Sequence, residues 1–386
     1  MNYDFIIYGG GISSKIAALA LAKNNFKVCC IKNQTNQKNK SNLVTFLSLG
    51  SVNYLYSLID DPTEFNKFTD IEKIICKLIS ANKNTSIEFD NEKKSVLGKI
   101  IPNKIIEDQL DSSLKKNKNI ETLINSQSIQ KKIDSNRVSL LLDEQKEVSA
   151  KVLILTANNK NLLSNKKIRF ISQNLEQTAL SMNAVGEFKE QKHAFQIFTP
   201  YGPLAFLPYS NNLASLVWSL KSESKQLTYE QTDLESEVNY YLEKLICKLN
   251  IKDVETHKLK FSFAKKLYDK NTVIIGNIAH NIHPIAGQGL NLSIKDISLF
   301  VGIISKYTSI GYDVNSKIAF EEFNQYRKFD NAAYSFGTLA LDQFLASKNS
   351  FVNLVAKMGI KVLEKNKFAK RIIVDSAMGS NHFKSL

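Results

Sequence analysis

Two glycine-rich turns, one near the start and one far along the chain, stand where an apolar run gives way to helical periodicity. The first is Gly9-Gly10-Gly11, between the run Phe5 to Tyr8 and the segment ISSKIAALALAKNN. The second is Gly287-Gln288-Gly289, which follows the strand-like run Thr272 to Ile275, then Gly276-Asn277 and Pro284. A Gly-x-Gly turn lets the backbone approach a diphosphate, whose charge then rests on unpaired N–H groups at a helix N-terminus. One such turn is shared by many nucleotide-binding folds. Two on one chain suit a dinucleotide that spans two helix starts, with negative charge at each.

Around the first turn the chain reads strand, turn, helix, strand, ending in KVCCI, and both strands are continuous apolar runs suited to a parallel sheet buried on both faces. Helices are predicted over Val52 to Ile59 and within 101 to 116, the latter with a Pro near its start. Strands are predicted at Arg137 to Leu142 and at Lys151 to Leu155, ahead of the polar turn TANNKN. From about 166 to 262 alternating strands dominate, including AFQIFTPYGPLAFLPY and LASLVWSL, with one helix around Leu234 to Leu249. The doubly wound pattern returns at Thr272, and the chain beyond about Lys317 reads as helical, with a break near Lys348-Asn349-Ser350. The expected class is α/β: a Rossmann-like three-layer nucleotide domain (1–65, 96–165, 263–330) interrupted by a mixed β-sheet substrate domain (66–95, 166–262), with a C-terminal helical region (331–386).

Composition narrows the partners. The 386 residues, 43% of them hydrophobic, suffice for two domains and a large core. A formal charge of +14 raises nucleic acid or an anionic membrane, but Arg occurs only at Arg137, Arg169, Arg327 and Arg371, and the Lys residues are scattered. No Arg-rich stripe with interleaved aromatics is present, so nucleic acid is not expected as a partner. Cys29, Cys30, Cys76 and Cys247 lack metal spacing, and a reducing compartment is expected. His280 and His283 have no acid or Cys to complete a shell, so no metal site is expected. Trp218, Phe198, Phe206 and Tyr209 either line a substrate pocket or belong to the strand core.

The stretch GNIAHNIHPIAGQGLNLSIKD resembles the late motif of the flavin-dependent aromatic hydroxylases related to p-hydroxybenzoate hydroxylase, and HPIAGQGLNL is similar to the variant of the ubiquinone-biosynthesis branch, of the 2-octaprenyl-6-methoxyphenol hydroxylase kind. FTPYGPLAFLPY, SLVWSL, YRKFDN and the terminal AMG resemble other parts of the same branch, so the likeness runs nearly end to end. The resemblance implies an FAD-dependent monooxygenase that hydroxylates the ring of a polyprenylated phenol. Its electron donor would be NAD(P)H or a ferredoxin-type protein. It implies cofactor contacts from Gly9, Gly11, Ile12 and Ser13 at the diphosphate, Lys32 and Asn103 nearby, Asn277 at the ribityl chain, and Gly289, Leu290 and Asn291 at the pyrimidine edge. Pro284, Gly287 and Gln288 are the residues it implies beside the reacting ring. The absence of a Ser/His/Asp arrangement suits such a cofactor, which performs the difficult step itself.

Four polar anchors of the family are changed: Lys32 replaces a strand-end Glu, Leu43 an Arg, Asn158-Asn159 an Asp-Gly turn, and Asn277 an Asp. On the sequence alone, Lys32→Glu and Asn277→Asp are each expected to tighten FAD binding. The rival reading is a relative that has lost tight flavin binding and serves as a lipid-binding or scaffold component. A plain NAD-dependent dehydrogenase would not need the second glycine-rich helix start. A cytoplasmic protein is expected, with a ubiquinone-biosynthesis protein assembly as a further candidate partner; the amphipathic segment Ala332 to Ile373 either packs its apolar face on the flavin domain, lies as a peripheral contact on the inner membrane, or meets a protein partner.

Overall fold

The computed structural model describes residues 2–33, 43–79, 85–90, 96–125, 128–134, 136–143, 146–163, 168–243, 246–281 and 288–345, excluding the side chains of 33, 125, 246, 247, 288 and 333–345. One sheet is built on parallel strands that are apolar on both faces. Its central strand β1 (Asn2–Gly9) lies between β2 (Val28–Asn33) and β11 (Lys146–Leu155), with β8 (Ile120–Asn125) beyond β2 and β18 (Thr272–Ile274) beyond β11. All four of these pairings are parallel. The short β17 (Tyr268–Asp269) closes one edge, and β9 (Ile129–Ile133) and β10 (Val138–Leu142) form an antiparallel ladder on the first half of β11.

Helix α1 (Ile12–Lys23) packs against α3 (Asn103–Lys116) and α5 (Gln288–Ser309), while α2 (Leu49–Leu58) follows β3 (Val44–Ser48) and α6 (Lys317–Leu345) follows α5. Ile6, Ile7, Ile16, Leu21, Ile154, Phe300 and Phe320 share one continuous core beneath these helices.

The second large sheet runs in the order β19-β16-β12-β15-β14-β13-β5-β6. Its members are β5 (Lys73–Leu78), β6 (Thr85–Asp90), β12 (Phe170–Phe188), β13 (His193–Thr199), β14 (Gly202–Pro208), β15 (Leu213–Lys221), β16 (Ile246–Ala264) and β19 (His280–Asn281). Strand alternation gives it two distinct faces. Leu180, Met182, Leu204, Phe206, Leu216 and Trp218 pack against Leu234, Val238 and Leu242 of α4 (Gln231–Leu242). The intervening residues Ala194, Ala205 and Leu207 pack on Val44, Phe46, Ile71 and Ile100 of a three-stranded sheet formed by β3, β7 (Gly98–Pro102) and β4 (Asp70–Ile71).

That small sheet joins the two large ones. Trp218 and Phe206 therefore belong to the core on the α4 face.

One predicted element is corrected. The helix expected through Leu249 ends at Leu242, and the chain is a strand again from Ile246. Leu249 and Ile251 complete the α4-side core as cross-strand partners of Gly186 and Ala184, a burial that outweighs local helical periodicity.

Candidate cofactor site

The carboxyl ends of β1, β2, β11 and β18 all open at one edge of the parallel sheet, where ligands of open α/β folds are bound. Gly9 ends β1, and a Cβ there would run into Thr156 Oγ1 beyond the end of β11. Thr156 in turn donates from Oγ1 to the carbonyl of Tyr8 at 3.1 Å. Ser14 stands where a third glycine would be, is buried, and donates to the carbonyl of Gly11 at 2.7 Å. Gly11 caps α1 without a side-chain acceptor, and a Cβ on it would meet nothing within 4 Å. The first-turn amides of Ile12 and Ser13 thus begin a helix with open space over its cap and no acidic residue in its first turn. An uncapped N-terminus under open space fits an anionic diphosphate.

Gly276, just after β18, lies between the start of α1 and α5. Gly276 has φ +81°, a conformation side chains rarely adopt, and a Cβ there would lie 3.2 Å from both Ser13 Oγ on α1 and Ser293 Oγ on α5. Asn277 follows, with Oδ1 3.5 Å from where a Cβ on Gly289 would sit. Gly289 and Leu290 lie in the first turn of α5, as does the backbone of Gln288. Pro284 and Gly287 lie outside the described residues.

Asn291 is 2% exposed and has both ends of its amide engaged. Nδ2 donates to the carbonyl of Phe46 at 2.7 Å, and Oδ1 accepts from the amide of Ser48 at 2.8 Å. Its side chain therefore fixes α5 to β3, leaving its backbone for any cofactor contact. Asn103 has a similar task at the other end of β3, accepting from Thr45 Oγ1 at 2.6 Å while its amide donates to Leu43.

A buried ionic cluster backs Gly276. Asp296 Oδ1 accepts from Arg327 Nε at 2.6 Å, and Oδ2 lies 2.6 Å from His280 Nε2 and accepts from the amide of Gly276 at 3.3 Å. Burial alone would raise the Asp296 carboxyl, but the Arg327 guanidinium and His280 outweigh it and hold the group at about 2. His280 is thus a scaffold residue that ties the 276 turn to α5 and α6.

On the other flank, Lys32 at the end of β2 lies 3.2 Å from Asp111 Oδ1 on α3, and Asp111 Oδ2 accepts from Lys15 Nζ at 2.8 Å. Burial acts to raise the Asp111 carboxyl, and the two ammonium groups override it and lower it. Neither Asp111 nor Lys15 stood out in the sequence, because no local pattern links α3 to the end of β2. After β11, Asn159 Nδ2 donates to the hydroxyl of Tyr8 at 2.9 Å, while Asn158 and Asn277 line one cavity of about 760 Å3 with Phe170, Lys260, Ile278 and Asn281.

Residues 142–308 match the FAD binding domain family. The chain is 24% identical over 434 residues to the Drosophila melanogaster mitochondrial ubiquinone biosynthesis monooxygenase COQ6, covering 98% of this chain and 90% of that one. It is 27% identical over 190 residues to the Escherichia coli 3-demethoxyubiquinol 3-hydroxylase, 48% of each. Its fold is similar to that of Pseudomonas putida p-nitrophenol 4-monooxygenase, with a TM-score of 0.77 at 12% identity over 98% of both chains. Klebsiella pneumoniae HpxO, solved with FAD and uric acid, gives a TM-score of 0.74 at 12% identity, with 99% of this chain and 97% of that one covered. With likeness from end to end and two helix starts converging at one sheet edge, the chain is similar over nearly its whole length to flavin-dependent monooxygenases of ubiquinone biosynthesis, and its residues 142–308 belong to the FAD binding domain family.

Proposed function

We propose that this protein is an FAD-dependent monooxygenase that hydroxylates the aromatic ring of a polyprenylated phenol on the way to ubiquinone. The observation that carries this reading is the convergence of the α1 and α5 N-termini on Gly276 and Asn277, at the carboxyl edge of the parallel sheet. Bound FAD supplies the oxygen-activating and electron-accepting chemistry.

The protein's part is to bind, orient and exclude water. The amides of Gly11, Ile12 and Ser13 hold the diphosphate, and Asn277 offers an amide oxygen to the ribityl hydroxyls. The backbone at Gly289, Leu290 and Asn291 presents N–H groups and the positive end of α5 to the pyrimidine edge. Pro284, Gly287 and Gln288 border the reacting ring in this reading. The Asn291 bonds to Phe46 and Ser48 keep the start of α5 in register with β3, so these donors are aimed before the cofactor arrives. Ala205 and Leu207 pack against Val44, Phe46 and Ile100 of β3 and β7 and so hold the second sheet against the cofactor side of the molecule.

Purified, gently desalted protein is expected to be yellow and to release FAD on denaturation. With NAD(P)H or a reduced ferredoxin as donor, the loaded protein should add one oxygen atom from O2 to a prenylated phenol. Colourless protein that cannot be reconstituted with excess FAD would sink the enzyme reading and leave the scaffold role.

A further inference from the structure

On sequence alone, Lys32 puts a cation where ribose hydroxyls need an acceptor. Its surroundings reverse that assignment. Lys32 Nζ reaches Asp111 Oδ1 at 3.2 Å, and the other oxygen of the same carboxylate accepts from Lys15 Nζ at 2.8 Å. Lys15 extends from α1 and is 4% exposed, with Glu107, one turn earlier on α3, 3.7 Å from its ammonium. The triad stands beside the first glycine turn, since a Cβ on Gly10 would lie 3.8 Å from Lys32 Cβ and Cγ.

We propose that Asp111 is the ribose-hydroxyl acceptor of this chain's FAD site, its carboxylate brought in from α3 and fixed by Lys15 and Lys32. The proposal rests on the FAD reading. A carboxylate offers about four acceptor positions, and the two lysines use two of them. The Asp111 side chain is 34% exposed, so the remaining positions are open to a ligand. Lys32 is a positioning residue that steers Asp111 toward the end of β2, where the family places its own carboxylate.

The test is a fluorescence titration of flavin-free protein with FAD and with FMN, which lacks the adenosine half, alongside thermal melting. Asp111→Asn is expected to weaken FAD about tenfold, the loss of a charge-assisted bond, while leaving FMN within about twofold. Asp111→Glu should recover part of the loss. Lys32→Glu should also weaken FAD and spare FMN, because it sets a second carboxylate against Asp111 and removes the cation that holds it.

Lys32 is one-third exposed, so this second variant decides the sign even if Asp111→Asn fails to fold. Tighter FAD binding in Lys32→Glu, or equal loss of FAD and FMN in Asp111→Asn, overturns the proposal. Wild-type protein that binds neither flavin rejects the FAD reading itself, whereas wild-type binding that neither substitution alters rejects only the role of Asp111.

Discussion

Gly9 and Gly11 are two residues apart in one turn, yet a methyl group has opposite consequences at each. At Gly9 it collides with Thr156, whose hydroxyl is bonded to the carbonyl of Tyr8, so the ends of β1 and β11 must separate. At Gly11, with φ −84° and ψ −178°, alanine is sterically allowed and meets nothing within 4 Å. Gly9→Ala is therefore expected to lower stability by about 1–3 kcal/mol. Gly11→Ala should leave the melting temperature of flavin-free protein unchanged and weaken FAD about tenfold, because the methyl occupies the space over the helix start. Equal FAD affinity in Gly11→Ala and wild type would place the diphosphate elsewhere. The glycine spacing was legible in the sequence because it records a local backbone demand. Asp111 was not, because its meeting with Lys32 depends on how α3 packs across α1. The motif likewise announced Asn291 but not that its amide is engaged by β3, a tertiary contact.

Asp296 joins three elements. It accepts from Arg327 on α6 and from the amide of Gly276, and its Oδ2 also lies against His280 on β19. The late motif contains the His and the Asp, and YRKFDN contains the Arg, so the residues were legible as motif positions while their mutual contact was not. Because the folded carboxyl is held down at about 2, its contribution to stability is fully present above the ordinary carboxylate range. That contribution is lost as pH falls toward 2. Asp296→Asn should cost about 3–5 kcal/mol at neutral pH, since it leaves the buried Arg327 without its main counter-charge. Thermal melts of wild type and Asp296→Asn should converge as the pH is lowered, and a constant gap from neutrality to pH 2 would contradict this account. At the same scale, the α4 to β16 boundary was misread because Leu249, seven residues after Leu242 and eleven after Val238, stays in helical phase with them. The long ladder with β12 decides the conformation of Leu249.

The polyprenylated phenol proposed above as substrate is insoluble in water, so on that reading the protein collects it from a bilayer or from a partner that holds it. Among the described residues no helix is long and apolar enough to cross a membrane. The α5–α6 side offers a starting surface: Tyr326 is 58% and Phe329 77% exposed on α6, with Ile310 and Tyr312 exposed beyond the end of α5. The amphipathic segment to Ile373, with Lys348, Lys357, Lys361, Lys365, Lys367, Lys370 and Arg371, continues from this helix; residues 346–373 and the side chains of 333–345 lie outside the described residues. Exposed aromatic side chains, followed in sequence by a run of lysines on a chain of net charge +14, suit an anionic headgroup layer, toward whose phosphates lysine stems snorkel. We predict that intact protein floats with liposomes containing anionic lipid at low salt and is released as salt rises. Binding should weaken by about 1 kcal/mol for each lysine neutralised in the cluster. Phe329→Ser should reduce flotation without shifting the melting temperature, because the ring is already in solvent. Folded protein that stays in the soluble fraction at low salt with anionic vesicles would reject direct membrane contact and assign delivery of the lipid substrate to a protein partner.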